Sequence, residues 1–280
     1  MSKIGCIIQA RMGSTRLPGK VMMNVEDQKP VLYFVIKQMQ ECKLIDKIIV
    51  ATTTNEEDNQ IANYSKNLGI DFFRGSSEDV LDRYYQCAKE YSVSTIVRIP
   101  SDKPLIDPEI VDNVINRFKN NSYDYITNFL PNSTFPSGVE VEVFSMNGLE
   151  KVWKKAKLPS EREHVTPFIR YSGYFSLFNV AHSEDLSHLK WSVDTADDLA
   201  FMESVYDLLP DDKEFLQFDQ VLEVLRNRPD LQSINNQSVV NAGYYRSLAN
   251  DPPMPSTEIQ LDRSHELRSK ARKFIPTGTQ

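Results

Sequence analysis

Among its 280 residues the chain has no apolar run approaching the ~18 that a membrane-crossing helix needs, so no span is expected. The apolar run at the amino end, Ile4 to Ile8, is interrupted by Gln9 and Arg11 and is too short for a signal-peptide core. A basic excess is also missing: 32 Lys and Arg stand against 39 Asp and Glu, for a net charge of -7. That balance argues against a protein that coats nucleic acid, and any phosphate recognition has to be local. Cysteine is scarce. Cys6, Cys42 and Cys87 are odd in number, widely spaced and set in apolar or helical surroundings, which excludes a disulfide framework or a zinc cluster and points to a reducing cytoplasm.

Three signatures are absent as well. No Gly-x-Gly-x-x-Gly occurs, which disfavours a dinucleotide fold, and no Asp-x-Asp of the kind that holds metal in many glycosyltransferases is found. A Walker A loop needs four residues between its glycines and Ser or Thr after its lysine. Here five residues lie between Gly13 and Gly19, and Val21 follows Lys20.

What is present is an alternation of strand and helix patterns. Ile4 to Gln9 reads as a strand buried on both faces, Pro30 to Met39 as a helix, Lys47 to Ala51 as a strand and Glu57 to Asn67 as a helix. Ile70 to Phe73, Asp79 to Tyr91, Thr95 to Ile99 and Pro108 to Lys119 continue the series. This predicts an α/β fold with a mainly parallel, doubly wound sheet and helices on both faces, whose ligands bind outside the strand C-termini. Val139 to Val143 alternates strictly, which predicts a strand with one wet face in a β-hairpin arm over the site. Glu161 to Arg170, Thr195 to Leu209 and Asp219 to Asn227 read as helices, and Phe175 to Val180 and Leu189 to Val193 as extended. The Asn-, Ser- and Pro-rich stretch that follows places a domain at 1–230, a linker at 231–260 and a separate segment at 261–280.

Chemistry concentrates after the first strand. Gln9-Ala-Arg-Met-Gly-Ser-Thr-Arg-Leu-Pro-Gly-Lys20 carries Arg11, Arg16 and Lys20 beside the hydroxyls of Ser14 and Thr15, with Gly13 allowing close backbone approach. Such a loop can cradle a polyphosphate and neutralise charge on departing pyrophosphate. A solvated basic loop is the plainer alternative for three cations alone. Asp102 after the fourth strand and Asp194 after a late one suit Mg²⁺, although turn or helix capping would explain either by itself. Glu140 and Glu142 share one face of the alternating strand, where solvent explains them about as well as an acceptor does. Arg162 and His164 are the better acceptor candidates, His164 having a structural role as its alternative. Tyr84 and Tyr85 read as packing residues.

The stretch from Ile8 to Lys20 resembles the signature of the cytidylyltransferase family, which includes the CMP-Kdo and CMP-sialic acid synthetases, and is closest to its spore coat polysaccharide branch. Ser77 to Arg83, Ser101 to Asp107, Pro136 to Phe144, Glu161 to Pro167 and Trp191 to Thr195 carry the resemblance further. It implies transfer of CMP from CTP to an acidic sugar of the 2-keto-3-deoxy type or a related metabolite, with a phosphate- or phosphonate-bearing acceptor or a glycosyltransferase activity as alternatives. It also implies that Gln9, Ala10, Arg11, Gly13, Ser14, Thr15, Arg16 and Lys20 bind nucleotide, with Gly75, Ser76 and Asp79 near the base or ribose. Arg11, Lys20 and Asp102 would be catalytic, Asp102 and Asp194 would hold Mg²⁺, and Glu140, Arg162 and His164 would meet the acceptor. Ser101 stands where the family has glycine, and Ser192 where sialic acid synthetases have an acid, which leaves one-metal and two-metal sites both open. A cytoplasmic homodimer is expected. The segment from Leu261 to Gln280 resembles the opening of class III PLP-dependent aminotransferases, which implies a fused partner domain; a merely charged tail is the alternative.

Overall fold

The computed structural model describes residues 3–130, 133–208, 216–236 and 242–252. Its centre is a seven-stranded sheet of β1 (Ile4–Gln9), β4 (Lys47–Thr53), β5 (Asp71–Gly75), β6 (Thr95–Pro100), β7 (Tyr125–Thr127), β8 (Glu142–Ser145) and β9 (Leu177–Asn179). The strand order is β5-β4-β1-β6-β8-β7-β9, with β8 the antiparallel member. A two-stranded ribbon, β2 (Asn24–Glu26) and β3 (Lys29–Pro30), stands apart from it. β1 is apolar along its length because it lies between β4 and β6 and is covered on both faces.

One face of the sheet packs against α1 (Val31–Gln40), α4 (Pro108–Lys119), α8 (Ala196–Tyr206) and α9 (Phe218–Asn227). The other packs against α3 (Val80–Glu90), α5 (Met146–Lys155), α6 (Pro159–His164) and α7 (Pro167–Tyr171). α2 (Asn59–Asn67) adds Ile61 to the first of these cores. Side chains cap the starts of α3, α4, α5 and α8. Asp107 accepts from the backbone N–H of Glu109 at 2.8 Å and of Ile110 at 3.0 Å, starting α4 at Pro108, and its second oxygen accepts from Phe218 N at 2.8 Å to seat α9. Tyr84 is fully buried and donates to Ile7 O at 3.1 Å, and Tyr85 stacks on Trp153. All three cysteines are buried and free. Among the described residues no helix is long and apolar enough to cross a membrane.

Three readings are corrected. The alternating segment is not an arm with a wet face, because β8 lies inside the sheet between β6 and β7 and Glu142 is 2% exposed. Its carboxylate is buried because Arg98, Tyr125 and Thr166 all bond to it. The expected helix from Glu161 to Arg170 is two helices, since Pro167 has no N–H to continue the first and Val165 turns at φ 70°. A buried valine in that conformation costs ~1–3 kcal/mol, sustained by packing around its fully buried side chain.

The described part of 231–260 is not an open linker. Asn235 is buried and donates to Lys190 O and to Asp198 Oδ1, both at 3.0 Å. Further on, α10 (Ala242–Asn250) packs on α6, and Asp251 accepts from Ser160 N at 2.9 Å and Ser160 Oγ at 2.6 Å. Polar composition here marks satisfied burial rather than solvation. The aminotransferase-like segment 261–280 lies outside the described residues.

Candidate active site

A cleft of about 640 Å³ opens beside the C-terminal ends of β1 and β6. Its position follows from the topology, since both strands end there and release the loops holding Arg11 to Lys20 and Ser101 to Lys103. The loop after β1 is folded on itself: Ser14 N and Gly19 N both donate to Met12 O at 2.8 Å, while Met12 N donates to Asp58 Oδ1 at 2.7 Å. Gly19 takes φ 73°, the left-handed turn that aims Lys20 inward. Gly19 is therefore the loop glycine the conformation demands, a position the sequence reading left unassigned in favour of Gly13.

A second approach brings in Asp194. Ser137 and Lys190 form a parallel bridge, and the Gly138 backbone crosses Trp191 so closely that a Cβ there would sit 2.4 Å from the Trp191 carbonyl carbon. Val193 N then donates to Asp102 O at 2.9 Å, which lays the segment ending in Asp194 alongside Asp102. The Lys20 ammonium joins the two acids, at 2.7 Å from Asp102 Oδ2, 3.0 Å from Asp194 Oδ1 and 2.6 Å from Val193 O. Arg16 donates to Asp194 Oδ1 at 2.6 Å, and Lys190 stands 3.6 Å from Asp194 Oδ2. Burial alone would pull the Lys20 ammonium down, but Asp102 and Asp194 raise it above the ordinary lysine range. Burial would likewise raise Asp194, yet Lys20, Arg16 and Lys190 hold it below the ordinary carboxylate range.

Of the nominated residues, Gln9, Ala10, Arg11, Ser14, Thr15, Arg16, Lys20, Asp102, Glu140, His164 and Asp194 line this one cleft. Glu140 is ion-paired to Lys103 at 2.8 Å rather than facing solvent. Arg11 is the loosest cation, 3.6 Å from Glu163 and 39% exposed. Gly13, Gly75, Ser76, Asp79 and Arg162 do not form the wall. Asp79 caps α3 through Asp82 N at 2.9 Å and is bound by the Arg162 guanidinium, so both their charges are spent on each other. Gly75 and Ser76 act on the cleft indirectly: a Cβ at Gly75 would strike Arg83 Cγ at 2.9 Å, and Ser76 O accepts from Arg83 NH1 at 2.7 Å. Arg83 is 1% exposed and lines the cleft. Burial brings it down to about 10.

His164 is held neutral. Burial pushes it down to about 4, against the pull of Glu163. The Ser247 hydroxyl donates to Glu163, so it accepts from His164 Nε2 at 3.0 Å, which fixes the Nε2–H tautomer. Sequence reasoning passed over Arg98, Lys103, Arg170 and Tyr244, all on the wall. The arginine inside the apolar run of β6 was the readable signal, because a lone charge in a buried strand needs a partner. For the others no local pattern exists.

The donor set fits a hard divalent cation in one way only. Among the described residues no three His, Cys, Asp or Glu side chains cluster to hold a metal. Two carboxylates already converge on one cationic nitrogen, which suits Mg²⁺ when substrate phosphates and water complete its shell.

An open α/β sheet with a cationic loop at the end of β1 and paired carboxylates facing it defines a nucleotidyltransferase. A family model described as Cytidylyltransferase matches residues 5–233, and the chain belongs to that family. It is 37% identical to an uncharacterised protein of Methanocaldococcus jannaschii, covering 84% of this chain and 95% of that one. It is 30% identical to the spore coat polysaccharide biosynthesis protein SpsF of Bacillus subtilis, covering 82% and 97%. A cytidylyltransferase structure from Leptospira borgpetersenii superposes with a TM-score of 0.79 at 32% identity, covering 86% of this chain and all of that one. Membership in this family displaces the glycosyltransferase alternative.

Proposed function

We propose that the protein transfers CMP from CTP to an acidic sugar of the 2-keto-3-deoxy type, releasing pyrophosphate, in the synthesis of a surface polysaccharide or glycoconjugate. The observation that carries this reading is the single ammonium of Lys20 shared by Asp102 and Asp194, with Arg16 beside it and the partly exposed Arg11 on the same cleft wall. An acceptor oxygen attacks the α-phosphorus, the bond to the bridging oxygen breaks in line, and pyrophosphate carries away the electron pair. Arg11, Arg16 and Lys20 offset the charge on the leaving group, while Ser14 and Thr15 offer hydroxyls to phosphate oxygens. Asp102 and Asp194 would hold Mg²⁺, which when bound supplies charge stabilisation at the phosphate oxygens. Gly75, Ser76 and Asp79 serve the base or ribose end through the position they give Arg83, and Gly13 keeps the loop backbone open to the triphosphate. His164, Glu140 and Arg162 shape the acceptor end, His164 as a neutral hydrogen-bonding ring.

The relationship to a spore coat polysaccharide protein supports the biosynthetic setting, and the absence of a basic surface excess supports a small-molecule partner. A cytoplasmic homodimer and a fused PLP-dependent domain after Leu261 belong to the same reading, resting on sequence resemblance. The test is pyrophosphate release from each of CTP, UTP, ATP and GTP with Mg²⁺ and a panel of sugar acids, products being weighed by mass spectrometry. A CMP-sugar formed from CTP is the expected result. Transfer from another nucleotide, or none with any acceptor despite tight CTP binding, overturns the reading.

A further inference from the structure

Arg170, at the end of α7, lines the cleft with no ion-pair partner among the described residues. Its guanidinium carbon lies 5.0 Å from the centre of the Phe129 ring, 5.1 Å from Tyr171 and 5.6 Å from Tyr244. Its buried Nε has no hydrogen-bond partner. Neighbouring cations are spent: Arg98 on Glu142 and Gln9, Lys103 on Glu140, Arg162 on Asp79. Aromatic faces attract a guanidinium, but they do not satisfy its in-plane N–H donors. A fork of donors kept open on a cleft wall is a feature that needs a ligand to complete it.

One ring of this frame comes from outside the family core. Tyr244 belongs to α10, which follows the 5–233 matched by the family model. α10 is docked at three points: Ser247 meets His164 and Glu163, Arg246 NH1 donates to Thr15 Oγ1 at 3.2 Å, and Asp251 binds Ser160. Gly243 and Tyr245 line the same wall.

We propose that Arg170, framed by Phe129, Tyr171 and the Tyr244 that α10 supplies, is the subsite for the acceptor's carboxylate, and that α10 is the element by which this chain selects its acceptor. This rests on the cytidylyl-transfer reading above. The guanidinium fork matches a planar carboxylate in a two-point contact. Charge count favours that group over a phosphate: with Arg98 and Lys103 paired and His164 neutral, the subsite adds one uncompensated positive charge, which a monoanion cancels. A dianion would leave negative charge facing Glu142 and Glu163.

The test uses the full chain loaded with α,β-methylene-CTP, which cannot be transferred, and titrates 3-deoxy-manno-octulosonate and its C1 amide by calorimetry. The acid is expected to bind about a hundredfold tighter than the amide, and Arg170→Gln to weaken the acid by a similar factor and erase the discrimination. Arg170→Lys recovers part of it, and Tyr244→Ala weakens the acid about tenfold while nucleotide affinity holds, consistent with losing one ring of the frame. Unchanged melting and nucleotide binding certify each variant's fold; if Arg170→Gln fails them, the acid-against-amide ratio and Tyr244→Ala decide. Equal binding of acid and amide, no binding of the acid to loaded protein, or undiminished acid binding in Arg170→Gln overturns the subsite and leaves nucleotidyl transfer standing. Failure to bind the nucleotide overturns both.

Discussion

Acidification should loosen this fold through His164. The ring lies at the end of α6, edge-on to Tyr244 at 5.2 Å and bonded to Ser247, so it ties α10 to the cleft. Arg98, Arg170 and Arg11 all oppose a positive charge there, and Glu163 favours one. Burial leads these effects and brings the ring from 6.5 to about 4. A base depressed in this way stays unprotonated in the fold between those limits, whereas the unfolded chain takes up a proton. Stability therefore falls as pH drops from about 6.5 towards about 4, and the whole interval corresponds to ~3 kcal/mol. By about pH 4.5 most of that is lost. His164→Gln removes the titration and sacrifices about 1 kcal/mol of hydrogen bonding at neutral pH. Wild type should thus be the more stable protein near about pH 7.5 and the less stable near about pH 4.5, with the order reversing between. Denaturant unfolding at a series of pH values measures this, and hydrogen exchange in α10 should report the same loosening locally. Parallel pH profiles for the two proteins would refute the reasoning.

Lys20→Ala and Asp102→Asn should each lower pyrophosphate release by at least about a hundredfold, the loss typical when charge-stabilising groups are removed; near-normal turnover in either counts against the site. Glu142→Gln strands the Arg98 guanidinium in the sheet and should cost ~3–5 kcal/mol, read as a shift in denaturant midpoint. Gly138→Ala meets the Trp191 backbone at 2.4 Å with φ at 117°, so a loss above ~3 kcal/mol in thermal unfolding is expected, and an unchanged midpoint would contradict the crossing.

The N-terminal half was legible because its elements are local. β1 and α4 have the bounds that apolar runs and the Asp107-Pro108 cap announce, and the sheet around β1 reads from alternation alone. Past residue 120 the signals are overridden by partners distant in sequence. β7 is three residues long and gains its place from β8 and β9, so no periodicity could reveal it. Glu142 has the polarity of an exposed position, and Arg98, 44 residues earlier, together with Tyr125 and Thr166 makes it a buried one. α10 carries weak apolar patterning because hydroxyls and carboxylates dock it, through Ser247 and Asp251.

The site charges were readable as a list and unreadable as pairs, since pairing acts across separations of 82, 174 and 178 residues. That pairing has a chemical consequence. Lys20 makes three contacts and cannot turn to a phosphate without taking from Asp102 its ion pair and leaving Asp194 to Arg16 and Lys190 alone. Arg11 faces less of a cost, being 39% exposed and 3.6 Å from Glu163. On the proposed function, Arg11 would meet the triphosphate first, and a divalent cation held by Asp102 and Asp194 would supply the charge that lets Lys20 turn to it. Nucleotide and metal should then bind with mutual reinforcement, each supplying the charge that the other's arrival displaces.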